Sequence, residues 1–144
     1  MVESETTVFR ITHDPIEPPL FSNSAVGAVA SFEGRVRDNH QGRSVVKLEY
    51  EAYEDLAVQE GNKIVAHALR QFGLIAAECT HRVGPLEVGD IAVRVDVLAG
   101  HRKEAFEACA WIIDQVKESV PIWKKETYAE GDHDWVNAQN GAEK

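Results

Sequence analysis

The chain has 144 residues, of which 44% are hydrophobic and 27% are charged, and its formal net charge is -9. This length and composition are typical of a globular protein with its own core, so we expect residues 1–144 to form a single domain. The acidic charge argues against a general nucleic-acid binder, which needs a broad basic face. We find no secretion signal and no apolar run of the roughly 20 residues that a membrane span needs. We therefore expect a cytoplasmic protein in which Cys79 and Cys109 are reduced.

The first third of the sequence predicts two strands separated by a connector. Residues 8–12 form a short strand-like run, and three prolines between residues 14 and 20 then exclude a helix or a central strand. A second strand is predicted over residues 25–37. Within it, Gly27 and Gly34 indicate bulges or close approaches of the backbone.

After a turn over residues 38–43, the pattern predicts strand, helix, strand, strand, helix and strand. These elements lie, in chain order, at residues 44–52, 53–72, 74–83, 91–99, 102–119 and 122–128. With right-handed crossovers this order gives an antiparallel sheet with two helices on one face. The predicted fold class is therefore α+β, a ferredoxin-like βαββαβ sandwich of the α/β-hammerhead type with an added N-terminal β segment. A polar, loosely held C-terminal tail is expected from about residue 131.

Basic residues are concentrated at three places in this acidic chain. They are Arg35, Arg37, Arg43 and Lys47 around one strand end and turn; Arg102 and Lys103 at the start of the second helix; and Lys117, Lys124 and Lys125 around its other end. Guanidinium groups pair with phosphate or carboxylate, and free N–H groups after His101 at the helix N-terminus attract anions. The clusters predict an anion-binding site; surface charges without a ligand are the alternative.

Lys117 has a special position on the second helix. The apolar stripe of that helix is centred near Cys109 and Val116, and Lys117 lies roughly 80° from this centre, at the border of the buried face. Partial desolvation there favours the neutral amine, which can act as a base or nucleophile. The commoner alternative is a lysine whose stem lies on apolar surface while its ammonium stays in water.

Familiar cofactor and metal motifs are absent from the sequence. It contains no phosphate-binding loop, no glycine-rich dinucleotide fingerprint and no zinc-peptidase helix, and its six histidines show no metal-ligand spacing.

Six segments of the sequence, taken together and in order, resemble the large, catalytic subunit of molybdopterin synthase. They are G-A through F-E-G-R-V-R at 27–37, L-E-Y-E-A-Y at 48–53, H-R-V-G at 81–84, V-G-D at 88–90, H-R with E-A-F at 101–106, and Lys117 with V-P-I-W-K-K-E at 120–126.

This resemblance implies a sulfurtransferase of molybdenum-cofactor biosynthesis that converts cyclic pyranopterin monophosphate into molybdopterin by forming its dithiolene. The sulfur arrives as a thiocarboxylate on the C-terminal Gly-Gly of a small ubiquitin-like subunit, and no metal or redox cofactor is implied. The family pattern makes Lys117 and Lys124 catalytic. The same pattern implies that nine residues line the substrate pocket: Arg35, Val36, Arg37, His101, Arg102, Lys117, Lys124, Lys125 and Glu126.

The length of the second helix predicts a shared site. Arg102 and Lys117 are fifteen residues apart, which is about 22 Å along a helix and longer than a pterin phosphate. We therefore expect a two-fold homodimer in which His101 and Arg102 of one subunit complete the pocket of the other. With two small subunits the assembly becomes a heterotetramer.

Two other functions fit parts of the pattern. A non-enzymatic ferredoxin-like module would bind an anion or a partner through a basic pocket without a reactive lysine. An RNA-binding sheet of the same topology needs exposed aromatic side chains on its central strands, for which Phe32 and Tyr50 are the candidates.

Overall fold

The computed structural model describes residues 7–18, 23–131 and 133–137. In this part of the chain the strands are β1 (Thr7–Thr12), β2 (Ala28–Arg35), β3 (Asn39–His40), β4 (Arg43–Ala52), β5 (Ala76–Arg82), β6 (Gly84–Leu86), β7 (Ile91–Ala99), β8 (Ile122–Tyr128) and β9 (His133–Asn137). The helices are α1 (Glu54–Phe72), between β4 and β5, and α2 (Arg102–Ser119), between β7 and β8. The predicted α+β class and the strand–helix–strand–strand–helix–strand order are confirmed.

The strands form two sheets, whereas a single sheet was expected. The first sheet has the order β1-β5-β7-β2, with β1 parallel to β5 and the other pairs antiparallel. The second has the order β3-β4-β8-β9, and β6 also pairs with β4. The outer edges of β5 and β7 are already occupied by β1 and β2. Strand β8 therefore pairs with β4, from Val45↔Tyr128 to Ala52↔Ile122.

The main core lies between the first sheet and the two helices. Alternate residues of β7, among them Val95 and Val97, face Val65 of α1 and Ile112 of α2, and all four side chains are fully buried. A smaller core of Val36, Leu48, Leu86 and Ala92 lies beside it, at the junction with the second sheet. Burial of these two sets of apolar side chains stabilises the elements of both sheets.

Both glycines singled out in the second predicted strand have the expected roles. The register between β2 and β7 shifts between Gly34 and Arg35, which is a bulge. At Gly27 the backbone passes so close to Gly100 that a Cβ atom would lie 2.2 Å from the Gly100 carbonyl oxygen. Any side chain at residue 27 would thus push β2 away from the start of α2.

Part of the predicted loose tail is ordered by pairing. Strand β9 pairs antiparallel with β8, from Trp123↔Asn137 to Thr127↔His133, so residues 133–137 belong to the second sheet. Residues 138–144 lie outside the described residues. In the described ranges, neither helix is long and apolar enough to cross a membrane.

Candidate active site

A cleft of about 290 Å³ opens where both sheets meet the C-terminal end of α2. Its walls come from the end of β2 and the segment after it, from β3, β4, β7 and β8, and from the last turn of α2. Six of the nine residues that the sequence predicted for the pocket line it: Arg35, Val36, Arg37, Lys117, Lys124 and Glu126.

Successive side chains of β8 point to opposite faces of the sheet, which separates Lys125 from Lys124 and Glu126. Lys124 and Glu126 are on the buried side of the strand, where they are 7% and 3% exposed. Lys125 lies on the opposite face, as successive strand residues must, and its ammonium is 5.6 Å from the centre of the Trp135 ring. The sequence predicted Lys125 in the same pocket, but within this chain Lys125 does not line the cleft, because the alternation of a strand points its side chain to the other face.

Lys117 enters the cleft from the last turn of α2 and is half-buried. It also lines a smaller cavity of about 30 Å³ together with Tyr50 and His81. This matches its predicted position at the border of the apolar stripe. The chain turns at Val120 and Pro121 directly into β8, so Lys117 and Lys124 reach the same cleft from two connected elements.

The two arginines enter the cleft just after the bulge in β2. Two backbone hydrogen bonds hold the intervening Val36: its N–H donates to the Asp90 carbonyl at 3.0 Å, and its carbonyl accepts from the Gly89 N–H at 2.9 Å. Arg35 is paired with Glu33, with Nη2 2.9 Å from Oε1. Arg37 is exposed and also lines the cleft. Because Arg35 is already paired, Arg37 is the guanidinium better placed to meet an anion.

Glu126 is anchored by two donors and faces one cation. Its Oε1 lies 2.5 Å from Nδ1 of His40 and accepts a hydrogen bond from the Tyr128 hydroxyl at 2.7 Å. Its Oε2 lies 3.5 Å from Nζ of Lys124. Burial raises the pKa of Glu126, but the hydrogen bonds from His40 and Tyr128 and the charge of Lys124 outweigh it and hold the pKa below its usual range. The carboxylate is therefore ionised at neutral pH.

The charges around Lys124 shift the pKa of its ammonium in opposite directions. Burial lowers the pKa of its ammonium, the Glu126 carboxylate opposes this, and the positive charges of Lys117 and Arg37 lower it further. Apart from the paired Arg35, the cleft thus holds three positive side chains, Lys117, Lys124 and Arg37, and one buried carboxylate, Glu126. The positive charges outnumber the carboxylate, so the cleft favours an incoming anion.

Two further side chains, which line the smaller cavity together with Lys117, are held uncharged. The rings of Tyr50 and His81 meet edge to face at 4.8 Å. Burial, and then the Glu126 charge, raise the pKa of Tyr50 to about 12. Burial lowers the pKa of His81 to about 4; a hydrogen bond from Nδ1 to the Arg82 carbonyl opposes this, and the charge of Lys117 adds to it.

His101 and Arg102 lie at the other end of α2 and do not line this cleft. The His101 side chain is 85% exposed, with its Nδ1 3.5 Å from Oε2 of Glu104, and Arg102 is also exposed. Within a single chain, the predicted site is therefore divided between the two ends of one helix.

The sequence reasoning missed four side chains that complete the site. Tyr50 and His81 could have been found from the apolar alternation of their strands, which turns both inward. His40 and Tyr128 gave no local signal of a shared role, since His40 lies 86 residues from the carboxylate that it contacts.

Comparison with known proteins identifies the family. The family model described as MoaE protein matches residues 11–119. The molybdopterin synthase catalytic subunit of Pyrococcus abyssi is 49% identical over 117 residues, covering 81% of this chain and 78% of that relative. The relative of the same name from Oryza sativa subsp. indica is 45% identical over 108 residues, covering 75% of this chain and 56% of the longer rice protein.

Solved structures agree with these sequences. The crystal structure of molybdopterin synthase from Staphylococcus aureus has a TM-score of 0.82 and 37% sequence identity, and the match covers 88% of this chain and 95% of that chain. The family match spans most of the chain, and the fold is shared at this level. The chain therefore belongs to the MoaE protein family, together with these molybdopterin synthase catalytic subunits.

Proposed function

We propose that this chain is the catalytic subunit of a molybdopterin synthase and acts in the cytoplasm. It would transfer sulfur from the C-terminal thiocarboxylate of a small ubiquitin-like subunit to cyclic pyranopterin monophosphate, forming the dithiolene of molybdopterin. The observation that carries this proposal is the convergence of Lys117, Lys124 and Arg37 on one cleft beside the buried Glu126. Both reaction partners are anions, and this cleft holds a surplus of positive charge.

The cations are suited to different tasks. The exposed guanidinium of Arg37 can hold the phosphate through paired hydrogen bonds. Lys124, held by Glu126 and nearly excluded from water, is a fixed positive charge that can stabilise negative charge developing on acyl or phosphate oxygens. Lys117, at the junction of the two cavities, is the amine with room to contact the substrate. We assign the catalytic roles to Lys117 and Lys124, and substrate binding also to Arg35, Val36 and Glu126.

A second copy of the chain would complete the site. His101 and Arg102 are exposed at the far end of α2, about 22 Å along the helix from Lys117. Nearby, Phe106 is 66% exposed, and Phe32 lines both the cleft and a neighbouring apolar cavity beside Phe106. This apolar surface, continuous with the cleft, can be buried by a second subunit that brings its own His101 and Arg102. Two small subunits then give a heterotetramer.

Reconstitution tests the activity. The chain is mixed with a thiocarboxylated small subunit and cyclic pyranopterin monophosphate, and dithiolene product is quantified, with Lys63→Ala as a matched surface-lysine control. Product from the wild type and from the control supports the proposal. Tight binding of both reactants without any product would support a non-enzymatic binding module instead.

Complementation tests the shared site separately. Inactive Lys117→Ala subunits are mixed with inactive Arg102→Ala subunits under conditions in which subunit exchange is verified. Each mixed dimer should regain one intact site, and so up to about half of the activity of a wild-type dimer. No regained activity after confirmed exchange would show that each chain uses only its own residues.

A further inference from the structure

His40 is a buried histidine for which the proposed reaction gives no direct role. Its side chain is 9% exposed, and its Nδ1 lies 2.5 Å from Oε1 of Glu126. Its Nε2 is buried and has no hydrogen-bond partner among the described residues. Leaving a buried polar atom unpaired costs free energy. Among the described residues, the contact with Glu126 is the only hydrogen bond that this ring makes, and the fold retains it despite the cost at Nε2.

The backbone around His40 fixes the direction of the ring. Strand β3 pairs with β4 through Asn39↔Ser44 and His40↔Arg43, which leaves a two-residue turn. Gln41 and Gly42, the two residues of this turn, both have positive φ, 54° and 82°. Such turns match the twist of a hairpin and lock its register. His40 is thereby presented to β8 from a rigid hairpin.

Glu126 transmits this constraint to Lys124. A carboxylate is planar, so fixing Oε1 with the His40 and Tyr128 donors also fixes the direction of Oε2. Oε2 is the atom that lies 3.5 Å from Nζ of Lys124. A lysine ammonium on its four-carbon stem has no preferred geometry of its own, so its place depends on this oxygen.

The other charged groups near Lys124 make the anchor necessary. Lys117 of α2 and Arg37 after β2 are both positive, and Tyr50 of β4, its partner across the strands, stays uncharged. Glu126 on the same strand is the negative charge that acts on Lys124. If the carboxylate turned away, repulsion from the two cations would drive the ammonium towards solvent.

We propose that His40 is a positioning residue, which holds the Lys124 ammonium in the cleft through Glu126 without touching the substrate itself. Its effect on turnover rests on the proposed function, whereas its effect on the position of Lys124 does not. The proposed function and the positioning role of His40 can therefore be tested separately.

The amides offer matched substitutions of the imidazole. The side-chain nitrogen of asparagine occupies about the same place as Nδ1 of histidine, whereas that of glutamine corresponds to Nε2. His40→Asn therefore keeps the donor to Glu126, while His40→Gln and His40→Leu remove it. His133→Gln, at an exposed histidine of β9, controls for the loss of a histidine as such.

Two measurements are made on each full-length variant. The first is kcat and KM in the reconstituted assay with thiocarboxylated small subunit. The second is the rate at which an N-hydroxysuccinimide acetate acylates Lys124, mapped by mass spectrometry with the exposed Lys63 as internal standard. Thermal melting shows whether each variant is folded. If His40→Leu does not fold, the role of His40 is judged from His40→Gln alone.

We expect His40→Gln to lose about tenfold or more in kcat with little change in KM, because small displacements of a catalytic group are costly. Its Lys124 should be acylated several-fold faster, while His40→Asn stays close to the wild type in both measurements. Unchanged labelling of Lys124 in His40→Gln overturns the proposal, and so does equal loss in the asparagine and glutamine variants. If even the wild type forms no product, the proposed function fails, and the labelling comparison alone decides the role of His40.

Discussion

The buried pair of Lys124 and Glu126 gives the sharpest quantitative prediction, because its energy can be worked out from one distance. Glu126→Gln keeps the shape of the side chain and an oxygen that accepts from His40 and Tyr128, but it removes the negative charge. Lys124→Met keeps most of the apolar stem and removes the positive charge. Each single variant leaves the other ion buried without its partner.

The size of the effect follows from Coulomb's law. At 3.5 Å and an effective dielectric constant of about 20, the attraction is roughly 4–5 kcal/mol. Water entering the open cleft and relaxation of the lysine stem reduce this value. Breaking a buried pair by removing one partner typically costs about 3–5 kcal/mol. In a domain of this length, such a loss corresponds to a fall in Tm of roughly 10–15 °C.

A double-mutant cycle measures the coupling directly. The free energy of unfolding is determined by urea denaturation at pH 7 for the wild type, both single variants and the double variant. We expect a coupling energy of about 2–3 kcal/mol, with the double variant more stable than the sum of the single effects predicts. Additivity within about 0.5 kcal/mol would refute the reasoning, since it would mean that the two charges do not interact.

The pH dependence of this cycle has a definite sign. The pKa of Glu126 is lower in the folded protein than its ordinary value of 4.5. Its contribution to stability is therefore complete above that value and disappears as the pH falls through the lower, folded-state pKa. The difference in stability between the wild type and Glu126→Gln should shrink in the same acidic range.

Three further predictions concern single residues. Lys124→Ala should reduce turnover far more than Lys125→Ala, whose side chain lies on the other face of β8; equal losses in the steady-state assay would contradict this assignment. Arg37→Ala should weaken binding of cyclic pyranopterin monophosphate more than Arg35→Ala, because Arg35 already pairs with Glu33. Calorimetric titration of both variants decides this, and a wild-type affinity in Arg37→Ala would make Arg37 a surface charge. His81 has a folded-state pKa of about 4, below its ordinary 6.5, so stability should fall by up to about 3 kcal/mol as the pH drops from 6.5 towards 4. Urea unfolding at pH 7 and pH 4.5 should show a smaller fall for His81→Asn, and an equal fall would contradict the assignment.

Most of the local structure of the site can be predicted from the sequence, but little can be predicted of how its strands and helices come together. Periodicity predicted α2 and β8, and with them the border position of Lys117. The family pattern placed both Lys124 and Lys125 in the pocket, whereas the alternation of β8 puts them on opposite faces of the strand. The separation of β4 and β8 into a second sheet depends on which strand edges are free. Such a choice is made by packing between distant segments, and periodicity carries no information on it.

The role of His40 shows the same limit more clearly. Nothing in the turn-forming residues around it indicates a partner in β8, because the contact forms only when the hairpin closes onto the second sheet. Arg35, Arg37 and Lys117 were found from the clustering of charge and from the family resemblance. The buried carboxylate network between them required the structure.

The proposed function requires that Lys117, in this cleft, takes part in sulfur transfer. The most direct measurement is the dithiolene formed in a single turnover by Lys117→Ala, with wild-type chain, thiocarboxylated small subunit and cyclic pyranopterin monophosphate as the reference. Lys117 is half-buried and borders the core without filling it, so the variant should keep its melting temperature and form less than about a tenth of the wild-type product, the loss expected for removal of one acid–base or charge-stabilising group. Product above that level from a normally folded variant would contradict a catalytic role for this lysine.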